Sequence, residues 1–327
     1  MTSPAFYRNH LLRDAISAAL YDAMKEDPSI YLFGEGAWVK QHYDAPKILE
    51  EFPDRVLTLP ISEDGNTNYA VGASLLGVKP VVDVITADFL YRTMDSICNT
   101  AAKLNFVAAD GSEHRTIIIR AEFLSGGPTT GQRPEALFAH IPGLNIVVPS
   151  TPKDAYILMR DALVTPGVTI FFEDRMIQDS ETKPEDMGQY PRPPLPLCAR
   201  ALVRTDVPGF KLTIVAYGLM RQLVESVLDE HDITDVDLLD LVTLYPLDID
   251  TIIDNVSATE KLLIVEPDVC FGGIGAEIVA QMVEQLGTLF KVVRLGAPRE
   301  TIPANREGQA RMMPSREEIL EAIRGLL

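Results

Sequence analysis

Short apolar runs alternate with segments of helical periodicity along most of the chain. Continuous apolar runs at residues 56–61, 78–85 and 116–120 predict strands that are buried on both faces. Between such runs, segments such as residues 11–25 have apolar positions every three or four residues, which predicts amphipathic helices. This alternation predicts an α/β fold built on parallel sheets.

The alternation stops at a proline-rich stretch and then restarts, which predicts two doubly wound parallel-sheet domains. The prolines lie at positions 184, 191, 193, 194 and 196, in a polar context typical of an extended linker. We expect one domain over residues 1–185, a linker over 186–208 and a second domain over 209–327. The last predicted helix, 314–326, begins with Ser315 and Glu318, the pattern of a capping box.

Composition narrows the function classes. The 327 residues carry a formal net charge of -18, which argues against nucleic acid or anionic membrane as partners because phosphate binding needs a basic surface. No apolar run approaches the ~20 residues of a membrane span, and residues 1–10 lack the pattern of a secretory leader. Three widely spaced cysteines indicate neither a disulfide framework nor a CxxC metal site. We therefore expect a cytoplasmic protein.

A carboxylate and an aromatic ring, both suited to a functional site, each follow a predicted strand. Glu63 comes after the 56–61 run and before Gly65, and Phe89 comes after the 78–85 run. The carboxyl ends of strands carry the sites of α/β sheets, so two neighbouring strand ends are expected to present one acid and one flat apolar face. The alternatives are a helix N-terminal acid that offsets the helix dipole and an ordinary core phenylalanine.

Nine short sequence motifs, two of which contain Glu63 and Phe89, are distributed over nearly the whole chain. They are Phe33-Gly34-Glu35, Pro60-Ile61-Ser62-Glu63, Ala87-Asp88-Phe89, Asn99-Thr100-Ala101-Ala102-Lys103, Phe138-Ala139-His140-Ile141-Pro142-Gly143-Leu144, Pro149-Ser150-Thr151-Pro152, Thr213-Ile214-Val215-Ala216-Tyr217-Gly218, Pro246-Leu247-Asp248 and Gly272-Gly273-Ile274-Gly275-Ala276-Glu277. In this order they resemble the beta subunit of the thiamine-diphosphate-dependent first component of 2-oxo-acid dehydrogenase complexes, in the transketolase superfamily. The resemblance implies a pyrimidine-binding domain followed by a transketolase C-terminal-like domain.

The resemblance also implies an activity and its residues. The enzyme would decarboxylate a 2-oxo acid and forward the acyl unit. Glu63 matches the acid that activates the coenzyme's aminopyrimidine by hydrogen bonding a ring nitrogen, a task for a positioned carboxyl group. Phe89 matches the ring that stacks on the aminopyrimidine, and Ile61 matches an adjacent apolar wall.

Half of the family's coenzyme site is missing from this sequence. The diphosphate is normally held through Mg²⁺ by a Gly-Asp-Gly motif, in accord with that ion's preference for oxygen ligands, and the chain contains no such motif. The resemblance therefore implies a separate alpha subunit that carries the diphosphate and Mg²⁺, in a tetramer of two alpha and two beta chains. A structural potassium ion of the family, held near residues 162–168, is left open because Thr165-Pro166-Gly167 diverges from the family pattern.

Other candidate residues have weaker support. Counting back from His140 places Thr130 where the family has a loop histidine implicated in acyl transfer to lipoyl, and a hydroxyl does not carry protons near neutral pH as imidazole does. His42 and Arg92 are candidates for the substrate channel; Arg92 suits a carboxylate or phosphate, or is a solvated helix arginine. Glu35 is either a solvated loop acid or the family acid near a water-filled passage.

Three functions remain open at this point. The first is the dehydrogenase beta subunit, which has a lipoyl carrier protein as a further partner. The second is half of a split transketolase-like enzyme that transfers a ketol or acyl unit to a non-lipoyl acceptor, which the missing loop histidine favours. The third is a non-catalytic scaffold subunit, against which the presence of Glu63 and Phe89 argues.

Overall fold

The computed structural model describes residues 11–35, 46–107, 115–124, 127–177, 196–199, 201–203, 209–287 and 290–327. The chain divides into two compact units. Unit 1 comprises Met1–Leu124 and Phe138–Leu197, and unit 2 comprises Ser125–Leu137 and Cys198–Leu327. The assignment of Ser125–Leu137 to unit 2 is not among the boundaries expected from the sequence. None of the described helices is both long and apolar enough to cross a bilayer.

Strands and helices alternate up to residue 177, as the apolar pattern predicts. The strands are β1 (Ile30–Glu35), β2 (Val56–Leu59), β3 (Lys79–Thr86), β4 (Thr116–Phe123), β5 (Leu144–Val147) and β6 (Gly167–Asp174). The helices are α1 (Leu12–Glu26), α2 (Pro46–Glu51), α3 (Glu63–Ser74), α4 (Leu104–Val107), α5 (Glu135–Ala139) and α6 (Pro152–Ala162). A 3₁₀ helix at Ala87–Thr93 and a π-helical turn at Ser96–Thr100 lie between β3 and α4.

The sheet of unit 1 is parallel throughout, in the order β5-β6-β4-β3-β1-β2. Every residue of the inner strand β4 is buried, because helices cover both faces of a parallel sheet. Phe123 of β4 and Phe172 of β6 stack with ring centroids 4.7 Å apart. The continuous apolar run is therefore confirmed as a doubly covered strand.

The carboxyl ends of β1, β2 and β3 form one edge of this sheet. Strand β1 pairs with β2 on one side and with β3 on the other. The strand ends that precede Glu63 and Phe89 are therefore not neighbours, and the expectation that they are was wrong. The end of β1 lies between them and carries Glu35.

Strand β3 ends irregularly. Its register with β4 shifts between Asp83 and Thr86, and Ile85 has a φ of 66°. A β-branched residue rarely adopts this left-handed conformation, so surrounding contacts must hold it there. One such contact is the Ile85 amide N–H, which donates to Asp83 Oδ1 over 2.8 Å. The irregularity redirects the chain just before the 3₁₀ helix that contains Phe89.

Residues 89–106 form a broken series of short helical turns rather than the single helix that their periodicity suggests. The contacts of Ser96 give a physical reason. Its hydroxyl accepts a hydrogen bond from Asn68 Nδ2 over 2.6 Å and donates to Asp64 Oδ1. These tertiary bonds to α3 fix the π-helical turn.

Unit 2 repeats the alternation at smaller size. Its strands are β7 (Ala201–Val203), β8 (Leu212–Ala216), β9 (Val236–Leu241), β10 (Thr243–Tyr245), β11 (Lys261–Val269) and β12 (Lys291–Ala297), and its helices are α7 (Gly218–Glu230), α8 (Ile249–Thr259), α9 (Ile274–Leu286), α10 (Arg306–Ala310) and α11 (Arg316–Leu326). Its sheet has the order β12-β11-β8-β9-β7, in which β7 alone is antiparallel.

Two features of unit 2 bear on the sequence predictions. Strand β7 lies within residues 186–208, the stretch expected to be a linker, and it pairs with β9. The capping box of α11 is confirmed, since Ser315 Oγ accepts from the Glu318 amide and Glu318 returns a bond to the Ser315 amide. The apolar face that follows, including Ile319 and Ile323, is buried, and the helix packs against α7 and β11.

Candidate active site

Glu63 begins helix α3 directly after strand β2, as the sequence predicts. Ser62 caps the helix by accepting a hydrogen bond from the Gly65 amide over 3.3 Å. Asn66 Nδ2 donates to the Pro60 carbonyl over 3.1 Å and so fixes the turn between strand and helix. Glu63 is 6% exposed, so its carboxylate is held inside the protein at the edge where α/β sheets place their sites.

Glu35 is a buried structural partner of this turn. Its Oε1 accepts from the Ser62 amide over 2.9 Å and from Asn66 Nδ2 over 3.1 Å. Burial raises the pKa of Glu35, the negative charges of Glu63 and Asp83 add to the rise, and the hydrogen bond from Ser62 opposes it. The alternative that Glu35 is a solvated loop acid was wrong.

Arg92 contacts the Glu63 carboxylate, with its Nε 3.3 Å from Oε2. The two side chains differ sharply in exposure, since the Arg92 side chain is 71% exposed and that of Glu63 is 7% exposed. Within the described ranges, Arg92 is the one side chain that pairs with this carboxylate. The structure therefore brings Arg92 to the predicted catalytic acid, a contact that sequence reasoning did not foresee.

Two apolar side chains lie close in sequence to this ion pair. Phe89 is half-buried in the same 3₁₀ helix as Arg92. Ile61 follows β2 and is 79% exposed. In general, a buried acid can hydrogen bond the edge of a flat heterocycle, and an aromatic ring can stack on its face.

Two sequence-based candidates remain, His42 and Thr130. His42 lies outside the described residues. Thr130 belongs to unit 2, where its amide donates to the Gly127 carbonyl over 3.3 Å. A Cβ on Gly131 would lie 3.2 Å from Ile302 Cδ1, so this loop packs closely within unit 2.

A cluster of buried acids in unit 2 was missed by sequence reasoning. Glu135 is fully buried, and its Oε1 accepts a hydrogen bond from the Tyr217 hydroxyl over 3.2 Å. Burial raises the pKa of Glu135 to about 8, the charge of Asp268 adds to the rise, and Arg133 opposes it. Burial also raises the pKa of Asp268 to about 6, with a further contribution from Glu266. The only signal in the sequence is an acid just before the apolar Phe138-Ala139 motif.

Family models match both halves of the chain. The transketolase pyrimidine-binding domain matches residues 10–178, and the transketolase C-terminal domain matches residues 201–319. The unit that contains Glu63 and Phe89 is therefore the pyrimidine-binding one. This agrees with the domain order implied by the nine motifs.

Curated relatives narrow the family. The chain is 32% identical to the pyruvate dehydrogenase E1 component subunit beta of Gracilaria tenuistipitata var. liui, over 97% of this chain and 99% of the relative. It is 31% identical to the 2-oxoisovalerate dehydrogenase subunit beta 2, mitochondrial, of Arabidopsis thaliana, over 96% of this chain and 88% of the relative. The chain belongs to the transketolase family, in the branch of E1-component beta subunits of 2-oxo-acid dehydrogenases.

A solved structure supports the fold. The chain superposes with a TM-score of 0.78 on a protein described as a split gene transketolase, inactive beta4 tetramer. The superposition covers 97% of this chain and 98% of that one, at 19% sequence identity. The prediction of two doubly wound parallel-sheet domains is thereby confirmed, apart from the antiparallel strand β7.

Proposed function

We propose that the chain is the beta subunit of a thiamine-diphosphate-dependent 2-oxo-acid dehydrogenase and supplies the pyrimidine-binding half of its active site. The observation that carries the proposal is Glu63, a carboxylate buried at a strand end and paired with a single exposed side chain. The names of the relatives, pyruvate and 2-oxoisovalerate dehydrogenase beta subunits, support a 2-oxo acid as substrate.

The coenzyme, when bound, supplies an electron sink that lets a 2-oxo acid lose carbon dioxide. Glu63 would hydrogen bond a ring nitrogen of the coenzyme through a carboxylate oxygen and share a proton with it there. Phe89 offers a ring face for stacking. Ile61 is exposed in the chain alone, so its side chain is available to cover apolar surface of a ligand.

The proposal requires a second polypeptide. No Gly-Asp-Gly motif occurs in the sequence, so an alpha subunit would supply the oxygen ligands for Mg²⁺ and the diphosphate. A tetramer of two alpha and two beta chains is part of this proposal. The potassium ion near residues 162–168 stays a prediction; there the Thr165 carbonyl accepts a hydrogen bond from Thr116 Oγ1 over 2.8 Å.

Replacing Glu63 with Gln tests the catalytic assignment. In the complex with the alpha partner, we expect Glu63→Gln to lower turnover at least ~100-fold, the usual contribution of a general acid or base. Glutamine has nearly the shape and volume of glutamate, so the thermal unfolding midpoint of the variant should stay close to that of the wild type. Steady-state kinetics with a 2-oxo acid and an artificial electron acceptor measure the first quantity, and calorimetry measures the second.

Glu321→Gln is the matched control, because Glu321 is an exposed acid on α11 of unit 2. This variant should leave turnover and the thermal unfolding midpoint unchanged. Wild-type turnover in Glu63→Gln would remove the catalytic assignment and leave the scaffold hypothesis in its place.

A second candidate function is half of a split transketolase-like enzyme. The observation that favours it is Thr130, a hydroxyl where the resembled family has its loop histidine. A threonine does not relay protons near neutral pH. In this alternative Glu63 keeps its role and the acyl or ketol unit passes to an acceptor other than lipoyl.

A further inference from the structure

Two other buried acids of unit 1, Glu35 and Glu173, show how this fold can hold a carboxylate permanently. Glu35 accepts two hydrogen bonds from donors that are themselves part of the strand-to-helix turn. Glu173 is paired with Arg120 through two bonds of 2.5 and 2.8 Å, and both side chains are no more than 3% exposed. In each case the partner is fixed by its surroundings.

Glu63 is held differently. Its partner Arg92 makes one contact of 3.3 Å through Nε, and the Arg92 side chain is 71% exposed. Among the described residues, Glu63 is the one ion-pair partner of Arg92, and Arg92 makes no side-chain hydrogen bond to another residue there. A long, exposed arginine side chain has many rotamers and loses conformational entropy when it is held in a single contact. Arg92 is therefore a displaceable partner.

Displacement matters because the proposed function needs the same carboxylate. The proposed hydrogen bond to the aminopyrimidine ring uses the same carboxyl group that Arg92 contacts at Oε2. The guanidinium of Arg92 favours the charged form of the carboxylate, whereas a hydrogen bond to an unprotonated ring nitrogen needs a proton on the carboxyl group.

We propose that Arg92 is a positioning residue that occupies Glu63 in the coenzyme-free chain and is displaced when thiamine diphosphate binds. This inference rests on the proposed function. The ion pair weakens coenzyme affinity, because breaking it is part of binding. Its strength also depends on ionic strength, since salt screens exposed pairs.

The experiment measures the dissociation constant of thiamine diphosphate for the complex with the alpha partner, by titration calorimetry at low and high NaCl. Arg92→Gln should bind the coenzyme about two- to fivefold more tightly than the wild type at low salt, the range set by an exposed pair. The difference in coenzyme affinity between Arg92→Gln and the wild type should shrink at high salt. Arg92→Lys keeps the charge and should stay closer to the wild type than Arg92→Gln.

Lys79→Gln is the matched control. Lys79 pairs with Asp27 over 2.9 Å at the start of β3, at the opposite edge of the parallel sheet from Glu63, so its loss should not change coenzyme affinity. Unchanged or weaker binding by Arg92→Gln, in a complex whose wild type binds the coenzyme, would overturn this inference alone. A wild-type complex that does not bind the coenzyme would overturn the proposed function and this inference with it.

Discussion

At the scale of single residues, the surroundings of each buried acid decide its chemistry. Glu35 and Glu135 are both enclosed, and burial is the largest cause of the raised pKa of each. Glu63 is almost as buried but has an exposed partner. Glu35 and Glu135 suit structural roles. Glu63 suits a role in which its hydrogen-bonding partner changes.

The raised pKa of Glu135 predicts a pH dependence of stability. Its ordinary value is 4.5 and its value in the fold is about 8. Between these values the folded chain holds one proton that the unfolded chain has released, so the free energy of unfolding falls as pH rises. The slope for one proton is up to about 1.4 kcal/mol per pH unit. Glu135→Gln does not titrate and should flatten this slope.

Urea unfolding at about pH 5 and about pH 8 measures the effect. Asp268, whose pKa rises from 3.8 to about 6, contributes a similar slope at lower pH in both proteins. Because this contribution is common to both proteins, it cancels from the difference between wild type and Glu135→Gln, which should grow over the whole interval from pH 4.5 to about pH 8. Equal slopes in the two proteins over this interval would show that Glu135 is not held neutral by the fold.

The residue pattern predicts part of the candidate site. The place of Glu63 follows from an apolar run that ends in a polar helix start, a local signal. The contact with Arg92 joins residues 29 positions apart, and it depends on the irregular end of β3, which no local pattern specifies. The burial of Glu135 depends in the same way on Tyr217, which is distant in sequence.

At the scale of elements, tight turns between helix and strand fix where the strands of unit 1 begin. Gly143 lies directly before β5, with a φ of 95°. A Cβ at this position would come 2.1 Å from the Ala102 carbonyl oxygen. Only a residue without a side chain fits both the left-handed conformation and this close approach.

Gly143→Ala should destabilise the protein by more than ~2 kcal/mol, since backbone strain and overlap with a main-chain oxygen act together. Denaturant unfolding measures the change. Gly72→Ala is the control within the same unit, because Gly72 lies in α3 and a Cβ there meets nothing within 4 Å. That variant should be stabilised by about 0.5–1 kcal/mol. A Gly143→Ala protein as stable as the wild type would mean that the turn opens at little cost.

Most of the elements are predictable from the sequence because the strands of a doubly covered sheet are apolar throughout. Strands β2 to β4 and helices α1 and α11 fall where their patterns place them. The short strand β7 and the helical turns after Phe89 do not, since three to seven residues give too little periodicity to decide. Hydrogen bonds to distant residues, such as those of Ser96, determine these segments instead.

At the scale of the whole molecule, one chain carries the acid and aromatic ring of the proposed site and lacks the diphosphate motif. The proposed enzyme is therefore assembled from two polypeptides. The acceptor differs between the two candidate functions, and Thr130, the loop position that separates them in the sequence, belongs to unit 2. The two candidate functions differ in this acceptor alone.

An acceptor assay on the complex separates them. For the dehydrogenase, we expect a lipoylated carrier domain to be acylated from a 2-oxo acid, but more slowly than in enzymes with the loop histidine, because Thr130 cannot carry the proton. Mass spectrometry of the carrier domain measures acylation. Thr130→His should raise the rate, and Thr129→His, one position away, is the control.

Transfer to an aldehyde with no acylation of the carrier would instead support the split transketolase-like enzyme. A wild-type rate that Thr130→His leaves unchanged or lowers would show that this loop position does not limit acyl transfer.

The membership of Ser125–Leu137 in unit 2 limits how this protein can be dissected. Cutting the gene after Leu197 would leave Glu135 on the amino-terminal fragment, while Tyr217 and Asp268 would stay on the other. A carboxy-terminal fragment made alone would contain an unfilled gap where the acid belongs. Recombinant halves of this protein should therefore be produced together, or the carboxy-terminal half should be fused to a copy of the missing thirteen-residue insert.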